Sequence, residues 1–263
     1  TLEFDMMMTC VGAGEVGYCP AWDYDVFLYL CDEEDPTICD TQVGHWITSY
    51  HREGRWVHDV SGVLPLLANG GTRRFRLEIT DPWEITLSLR FSNGDKAARP
   101  SEATPLFAGQ FEFDESYNSN FAPITLPVPA DATKVELATV ITGHGMSPPA
   151  NCCEFTNTDH HFIVNGTDNV QYLLTSDTTH GCMDQVADGT VPNQYGTWWY
   201  GRAGWCPGKH VDMVMTDVTS QVVLGADNTF EYEGFYNGEP YVVDTDTGTW
   251  RHFKLSSWLV VSR

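Results

Sequence analysis

Three clusters of carboxylates and aromatic rings have the residue types that are usual in a carbohydrate site. They are Trp22-Asp23-Tyr24-Asp25, Cys152-Cys153-Glu154-Phe155, and the stretch 198–208 with its tryptophans and Arg202. Aromatic faces stack on the C–H faces of sugar rings, and sugar hydroxyls need charged or amide partners. All three clusters fall at loop-like positions, where binding residues are concentrated. They therefore indicate a carbohydrate site.

The elements that must position these clusters are β-strands. Short runs with an apolar residue at every second position predict strands with one buried face, and no segment of a dozen residues has a helical period. The runs are 2–8, 25–30, 75–79, 85–91, 134–142, 161–165, 210–215, 229–234 and 254–261. Turn formers such as Asn165-Gly166 separate them. The pattern predicts an all-β protein of two eight-stranded-type antiparallel jelly-roll β-sandwich domains packed side by side.

The boundary between the two domains is predicted where the strand periodicity is weakest. This is the polar, proline-containing stretch 95–104, so we place an N-terminal jelly-roll domain at 1–100 and a C-terminal one at 101–263. The first half has few strands before Cys10, and an N-terminal domain that lacks its first strands is one expectation.

Charge and hydropathy exclude several classes of partner. The formal net charge is −22 with only 14 Lys and Arg, which argues against binding to nucleic acid or to anionic lipid. No apolar run reaches the roughly 18 residues that span a bilayer. We therefore expect no nucleic acid and no membrane among the partners.

The eight cysteines predict disulfides and an oxidising compartment. Their spacing suggests the local pairs Cys10–Cys19, Cys31–Cys39 and Cys182–Cys206. Zinc is the competing interpretation, but no C-x-x-C pair is present. Cys152 and Cys153 are adjacent, and the spacing leaves open whether they are bonded or free. We expect a secreted or periplasmic protein.

Four motifs in one order resemble the peptide-N-glycosidase F family. They are Cys-Pro-Ala-Trp-Asp at 19–23, Thr-Gly-His-Gly at 142–145, Cys-Glu-Phe at 153–155 and Gly-Arg-Ala-Gly-Trp-Cys-Pro-Gly at 201–208. The resemblance implies a glycoamidase that hydrolyses the amide between asparagine and the first N-acetylglucosamine of an N-linked glycan. It implies no metal or other cofactor, and N-glycosylated proteins or peptides as substrates. We also expect the chain to act as a monomer.

The same resemblance assigns roles to individual residues. Asp23 matches the family's main catalytic aspartate, and Glu154 matches its essential glutamate. Asp81 stands where the family has a glutamate, so its carboxylate is one methylene shorter. The implied substrate contacts, together with one candidate from the third cluster, are Tyr24, Trp83, Trp199, Arg202 and Trp205.

Tyr24 is the main departure from the family, because an arginine follows the catalytic aspartate there. No cation is therefore expected next to Asp23. Asp25 lies two residues on, and in a strand the two carboxylates would share one face.

Two other functions stay open. The histidines and a methionine near the second cluster suit copper, and the family's two-sandwich fold resembles the copper peptidylglycine monooxygenases. The candidate ligands are His144, Met146, His161 and His180. Adjacent His160 and His161 would point to opposite faces of a strand, which argues against a shared ion. The other alternative is a non-catalytic glycan- or protein-binding module that retains the fold.

Overall fold

Antiparallel β-strands make up nearly all the regular structure. The computed structural model describes residues 1–12, 19–94, 99–173, 175–243 and 250–263. The strands are β1 Leu2–Cys10, β2 Asp25–Leu30, β3 Thr41–Ile47, β4 Gly54–Asp59, β5 Phe75–Glu78, β6 Trp83–Phe91, β7 Pro100–Glu112, β8 Ile124–Val128, β9 Lys134–Ser147, β10 Cys152–Cys153, β11 Asp159–Val164, β12 Thr167–Tyr172, β13 Lys209–His210, β14 Val214–Asp217, β15 Ala226–Phe235 and β16 Arg251–Ser262. The helices of this part of the chain are the 3₁₀ segments Ser61–Leu67, Tyr117–Asn120 and Val186–Asp188, and none is long or apolar enough to cross a membrane. The prediction of an all-β chain is confirmed.

The chain forms two compact units that are not contiguous in sequence. Unit 1 contains Thr1–Asp95, Thr179–Gly201 and Trp205–Asp212, and unit 2 contains Lys96–Thr178, Arg202–Gly204 and Met213–Arg263. The contiguous division into 1–100 and 101–263, and the jelly-roll topology of each domain, stay predictions.

Unit 1 is built from two sheets with the strand orders β4-β1-β6 and β13-β3-β2-β5. Phe4 on β1 stacks on Trp46 on β3 with ring centroids 6.1 Å apart, so the two sheets share one core. Both residues are fully buried. This sandwich fixes the start of β2 and the end of β3, and the first cluster lies beside these two strand ends.

Unit 2 also pairs two sheets around one core. Their orders are β10-β9-β16-β7, with β14 added on β9, and β12-β11-β15-β8. Phe253 on β16 contacts His160 on β11 at 4.7 Å between ring centroids, and Phe107 on β7 contacts Tyr232 on β15 at 5.9 Å. β9 and β10 carry the second cluster at one end of this sandwich.

Two local predictions were wrong. The run 210–215 is not one strand: β13 pairs with β3 in unit 1, β14 pairs with β9 in unit 2, and residues 211–213 lie outside strands. Of the stretch 95–104, residues 95–98 lie outside the described residues, and β7 begins at Pro100 instead of continuing a connection. Pro100 can open β7 because β7 is an edge strand and the first residue of such a strand needs no N–H.

Every cysteine is bonded. The structure contains Cys10–Cys19, Cys31–Cys39 and Cys182–Cys206, and it also joins the neighbours Cys152 and Cys153. No free cysteine remains. The fourth disulfide answers the question that the spacing left open.

Candidate active site

Asp23 lies in a short loop that is fastened to the end of β3. The hydroxyl of Thr48 donates to the carbonyl of Trp22 at 2.6 Å and accepts from the amide of Tyr24 at 2.8 Å. The amide of Thr48 in turn donates to the carbonyl of Tyr24 at 2.9 Å. Thr48 is buried, so these bonds hold the loop firmly at the edge of the sandwich. The backbone of Asp23 is thereby placed by its two neighbours.

The side chain of Asp23 is held by a tyrosine. The hydroxyl of Tyr50 donates to Oδ2 of Asp23 at 2.5 Å. The amide of Tyr50 donates to Oε1 of Gln194 at 2.9 Å, and Nε2 of Gln194 donates to the carbonyl of Pro207 at 2.7 Å. Tyr50 and Gln194 are both buried. A carboxylate held in one orientation by a supported donor is suited to accept a proton from water.

Asp25 has its own partner. Its Oδ1 lies 2.7 Å from Nε2 of His45 on β3, and the ring of His45 packs against Phe27 with centroids 4.4 Å apart. His45 is buried. Asp25 therefore belongs to an aspartate–histidine pair within the sheet, whereas Asp23 is bonded to Tyr50.

Glu154 and Arg202 form an ion pair in unit 2. Oε1 of Glu154 lies 2.7 Å from Nε of Arg202, and the guanidinium also lies over the ring of Phe155 at 4.6 Å. The side chain of Arg202 is 1% exposed and that of Glu154 is 20% exposed. Because a buried guanidinium without an anion would be costly, the pair also stabilises the arginine. The carboxylate keeps a solvent-facing edge that can accept hydrogen bonds.

The backbone around this pair is tightly interlocked. The amide of Glu154 donates to the carbonyl of Gly145, the amide of Ala203 donates to the carbonyl of Glu154, and the amide of Gly143 donates to the carbonyl of Ala203, each at 2.9 Å. A Cβ at Gly143 would lie 2.4 Å from the carbonyl oxygen of Cys153. Only glycine fits there, because a side chain would force the strands apart.

The remaining site candidates lie in several environments. Asp81 precedes β6, and Trp83 opens it opposite Cys10. Tyr24 is 38% exposed, whereas Trp205 is 6% exposed. Trp199 is half-buried, with its ring 5.6 Å from that of Tyr200. Tyr24 and Tyr200 therefore offer aromatic surface, whereas Trp205 is buried.

Sequence reasoning missed Tyr50 and Gln194. Tyr50 is 27 residues from Asp23 along the chain, and Gln194 is a further 144 residues from Tyr50. Neither stands in a cluster of chemically active residues, so no signal in the sequence marks them. They become visible only when the strands bring the three segments together.

The candidate copper ligands have other partners. Nε2 of His144 lies 2.9 Å from the hydroxyl of Thr142, and His161 lies between Asp159 and Asp168 at 3.2 and 2.7 Å. Met146 is 60% exposed. His144, His161 and His180 do not form a group with convergent ligand atoms in the described ranges. Cys10, Cys19 and Glu53 are the one group found there, and its two cysteines are disulfide-bonded.

Histidines 160 and 161 face opposite sides of β11, as the strand period predicts. His160 is buried and its Nδ1 lies 2.7 Å from the hydroxyl of Tyr232, while His161 contacts the surface carboxylates of its own sheet. Burial lowers the pKa of His160 to about 3. Burial also lowers the pKa of His161, but its hydrogen bonds to Asp168 and Asp159 outweigh this and raise it.

Comparison with known protein families decides the assignment. The C-terminal family model of peptide-N-glycosidase F matches residues 113–260, which is more than half of the chain. The chain belongs to the peptide-N-glycosidase F family. The resemblance predicted from the four motifs is thereby confirmed.

A curated member of the peptide-N-glycosidase F family is similar over part of its length. Peptide-N(4)-(N-acetyl-beta-D-glucosaminyl)asparagine amidase F of Elizabethkingia miricola is 28% identical over 113 residues, which is 41% of this chain and 30% of that protein. The aligned segment therefore spans less than a third of the relative.

Solved structures of peptide-N-glycosidase F have the same fold. A crystal structure of the asparagine amidase matches with a TM-score of 0.74 at 19% identity, covering 100% of this chain and 84% of that one. The glycosylasparaginase PNGase F of Flavobacterium meningosepticum matches with a TM-score of 0.75 at 19% identity and the same coverage. PNGF-II matches with a TM-score of 0.70 at 14% identity, covering 99% of this chain and 56% of that one.

Proposed function

We propose that the chain hydrolyses the amide between an asparagine side chain and the proximal N-acetylglucosamine of N-linked glycans. The observation that carries the proposal is the hydrogen bond from Tyr50 to Asp23, which holds one carboxylate in a fixed orientation at the edge of a sandwich. Membership of the peptide-N-glycosidase F family supports the same chemistry. The curated relative is named as an asparagine amidase of this kind.

Asp23 acts as the general base in this proposal. Its carboxylate takes a proton from water, the hydroxide adds to the side-chain carbonyl carbon, and the C–N bond then breaks as the glycosylamine nitrogen takes up a proton. The asparagine becomes aspartate, and the glycan leaves as its glycosylamine. Tyr50 orients the carboxylate for the first proton transfer, since its hydroxyl fixes Oδ2.

Glu154 binds sugar hydroxyls in this proposal, and Arg202 positions it. The ion pair at 2.7 Å holds Oε1, and the interlocked backbone holds the main chain of Glu154. A carboxylate that is already oriented loses little entropy when it accepts a hydrogen bond from a sugar hydroxyl.

The aromatic residues supply stacking surface for sugar rings. Tyr24 and Trp199 are proposed as substrate contacts, and the exposed Trp22 and Tyr200 add to them. Asp81, Trp83 and Trp205 stay proposed site residues from the family resemblance. Tyr24 stands where the family has an arginine, and we propose that it replaces a charged contact with a stacking one.

The proposed substrates are N-glycosylated proteins or peptides that the chain meets outside the cytosol. Eight cysteines joined in four disulfides support a secreted or periplasmic location, because such bonds persist in oxidising compartments. We further propose that the chain acts as a monomer.

Glycan release from a denatured N-glycoprotein tests this function. We expect the wild type to release intact glycans with conversion of asparagine to aspartate, and Asp23→Asn to slow release by about 10²- to 10⁴-fold, the usual contribution of a general base. Asp40→Asn is the matched control, because it removes an exposed carboxylate of the same unit outside the loop of Asp23. Equal rates for wild type and Asp23→Asn would refute the assignment of Asp23.

A further inference from the structure

A cationic and aromatic surface begins one residue after Tyr50. It consists of His51, Arg52 and Tyr195, which we call the Arg52 patch. The guanidinium of Arg52 lies over the ring of Tyr195 at 5.8 Å, and the ring of His51 meets Tyr195 edge-on at 5.1 Å. Tyr195 is 52% exposed, and His51 and Arg52 are half-buried. The three side chains thus form one continuous surface that solvent reaches.

The Arg52 patch is held in place by the same loops that hold Asp23. Nε of Arg52 donates to the carbonyl of Asn193 at 2.8 Å, and the amide of His51 donates to the carbonyl of Pro20 at 3.0 Å. Nδ1 of His51 lies 2.9 Å from the carbonyl of Cys19. The backbone of His51 has a φ of +56°, in the left-handed region where histidine is enriched among residues other than glycine. The patch is therefore preorganised.

Arg52 differs from most cations of the chain in its partners. Nine of the arginines and lysines that the structure describes lie within 4.0 Å of a carboxylate. Arg52 has no such carboxylate among the described residues, and Glu53 beside it accepts instead from the amide of Cys10 at 3.1 Å. Arginine has five N–H donors in a planar fork, and the bond to Asn193 uses one of them. The remaining donors of the fork can pair with a carboxylate.

We infer that the Arg52 patch binds an acidic side chain of the substrate polypeptide, close to the glycosylated asparagine. Arg52 pairs with the carboxylate, and Tyr195 packs against the neighbouring peptide. This inference rests on the proposed function, since it takes Asp23 to act at the scissile amide.

The short distance between Tyr50 and Arg52 favours the peptide over the glycan as the source of the carboxylate. Arg52 is two residues from Tyr50, so their Cα atoms are at most about 7 Å apart. An extended peptide of two to four residues spans about 7 to 14 Å, and residues flanking the asparagine therefore reach the patch. A sialic acid at the tip of a complex glycan is several sugar units from the same amide.

Competition between matched glycopeptides tests the inference. Both peptides of a pair carry one glycan, and they differ at a single position, which is Glu in one peptide and Gln in the other. The position varied is one of the four residues on either side of the asparagine, and positions that the acceptor sequon requires are left unchanged. A second pair has a neutral peptide with a sialylated or a desialylated glycan. We expect wild type to prefer the acidic member of at least one peptide pair, by about two- to five-fold in kcat/KM at low salt, the range of an exposed ion pair. Added salt should shrink the preference.

Arginine variants show whether a preference for acidic peptides comes from the Arg52 patch or from the overall electrostatic field of the protein. Arg52→Gln should remove the preference, whereas Arg52→Lys should keep part of it because the charge remains. Arg74→Gln is the matched control, since Arg74 is exposed in the same unit and precedes β5 beside Cys31, at the far end of β2 from Asp23. It should keep the full preference.

Affinity measured with Asp23→Asn protein makes the outcome independent of turnover. A preference for acidic peptides in binding that Arg52→Gln abolishes supports the patch, even if no glycan is released and the proposed function fails. Release of glycan with equal rates and equal affinities for the Glu and Gln peptides overturns the patch and leaves the proposed function standing. A preference that follows sialylation instead of the peptide also overturns it.

Discussion

Removal of the Tyr50 hydroxyl is the sharpest perturbation of the proposed catalytic centre. Tyr50→Phe deletes one oxygen, the donor of the 2.5 Å hydrogen bond to Oδ2 of Asp23, and keeps the buried ring. The bonds between the backbone of Tyr50 and Gln194 and Tyr195 do not involve this oxygen. The substitution therefore tests the orientation of Asp23 with little change to the packing.

The expected loss of activity follows from the charge of the carboxylate that accepts the hydrogen bond. A hydrogen bond to an ionised group contributes about 1.5 to 3 kcal/mol, which corresponds to a loss of roughly 10- to 150-fold in kcat/KM if the whole contribution acts in the transition state. The assay is the initial rate of glycan release from a defined glycopeptide. Tyr29→Phe is the control, because the ring of Tyr29 on β2 packs against Phe27 and under the guanidinium of Arg76, and its hydroxyl is not bonded to Asp23.

A double-mutant cycle with Asp23→Asn separates a direct effect from a structural one. If Tyr50 acts through Asp23, Tyr50→Phe should cost little further activity in the Asp23→Asn background. Melting temperatures of all four proteins check that the fold is intact. Tyr50→Phe at wild-type activity, or losses that multiply independently in the double variant, would refute the role of this bond.

Two further predictions concern stability. Gly143→Ala should lower the free energy of unfolding by about 1 to 3 kcal/mol in a urea titration, because its Cβ would lie 2.4 Å from the carbonyl oxygen of Cys153. Gly94→Ala is the control and should be nearly neutral, because its Cβ would lie 3.4 Å from Thr1. Burial, and then the charge of His210, lower the pKa of His58 to about 3, and burial lowers that of His160 to about 3. The unfolded chain therefore takes up these protons near pH 6.5, whereas the folded chain does not. As the pH is lowered from about 6.5 to 3, the free energy of unfolding should decrease by up to roughly 1.4 kcal/mol per pH unit for each histidine. His58→Gln should flatten this slope, and identical slopes for variant and wild type would contradict the burial of a neutral ring.

Much of the strand content could be predicted from the sequence, because alternating apolar residues record one buried face. The run 25–30 coincides with β2, and the runs 2–8 and 229–234 lie within β1 and β15. β3 was missed because residues 43–47 are all buried, which removes the alternation. Periodicity records burial and does not reveal the pairing partner, so it could not separate β13 from β14.

The sequence predicts a set of candidate site residues and not their arrangement. The types of Asp23, Glu154 and Arg202 indicate a carbohydrate site, and the resemblance of their motifs to a known family implies hydrolysis of the asparagine–glycan amide. The sequence could not pair Glu154 with Arg202 or Asp23 with Tyr50, because these contacts join segments that only the folded sheets bring together. Such long-range pairs have no local signature.

Hydrolysis of one purified N-glycopeptide in heavy-oxygen water, followed by mass spectrometry of the peptide, tests the proposed activity most directly. The account predicts loss of the entire glycan and an aspartate that carries one heavy oxygen at the former asparagine, with both changes slowed by about 10²- to 10⁴-fold in Asp23→Asn. A peptide that keeps its glycan, or that retains one N-acetylglucosamine on an unchanged asparagine, would contradict amide hydrolysis.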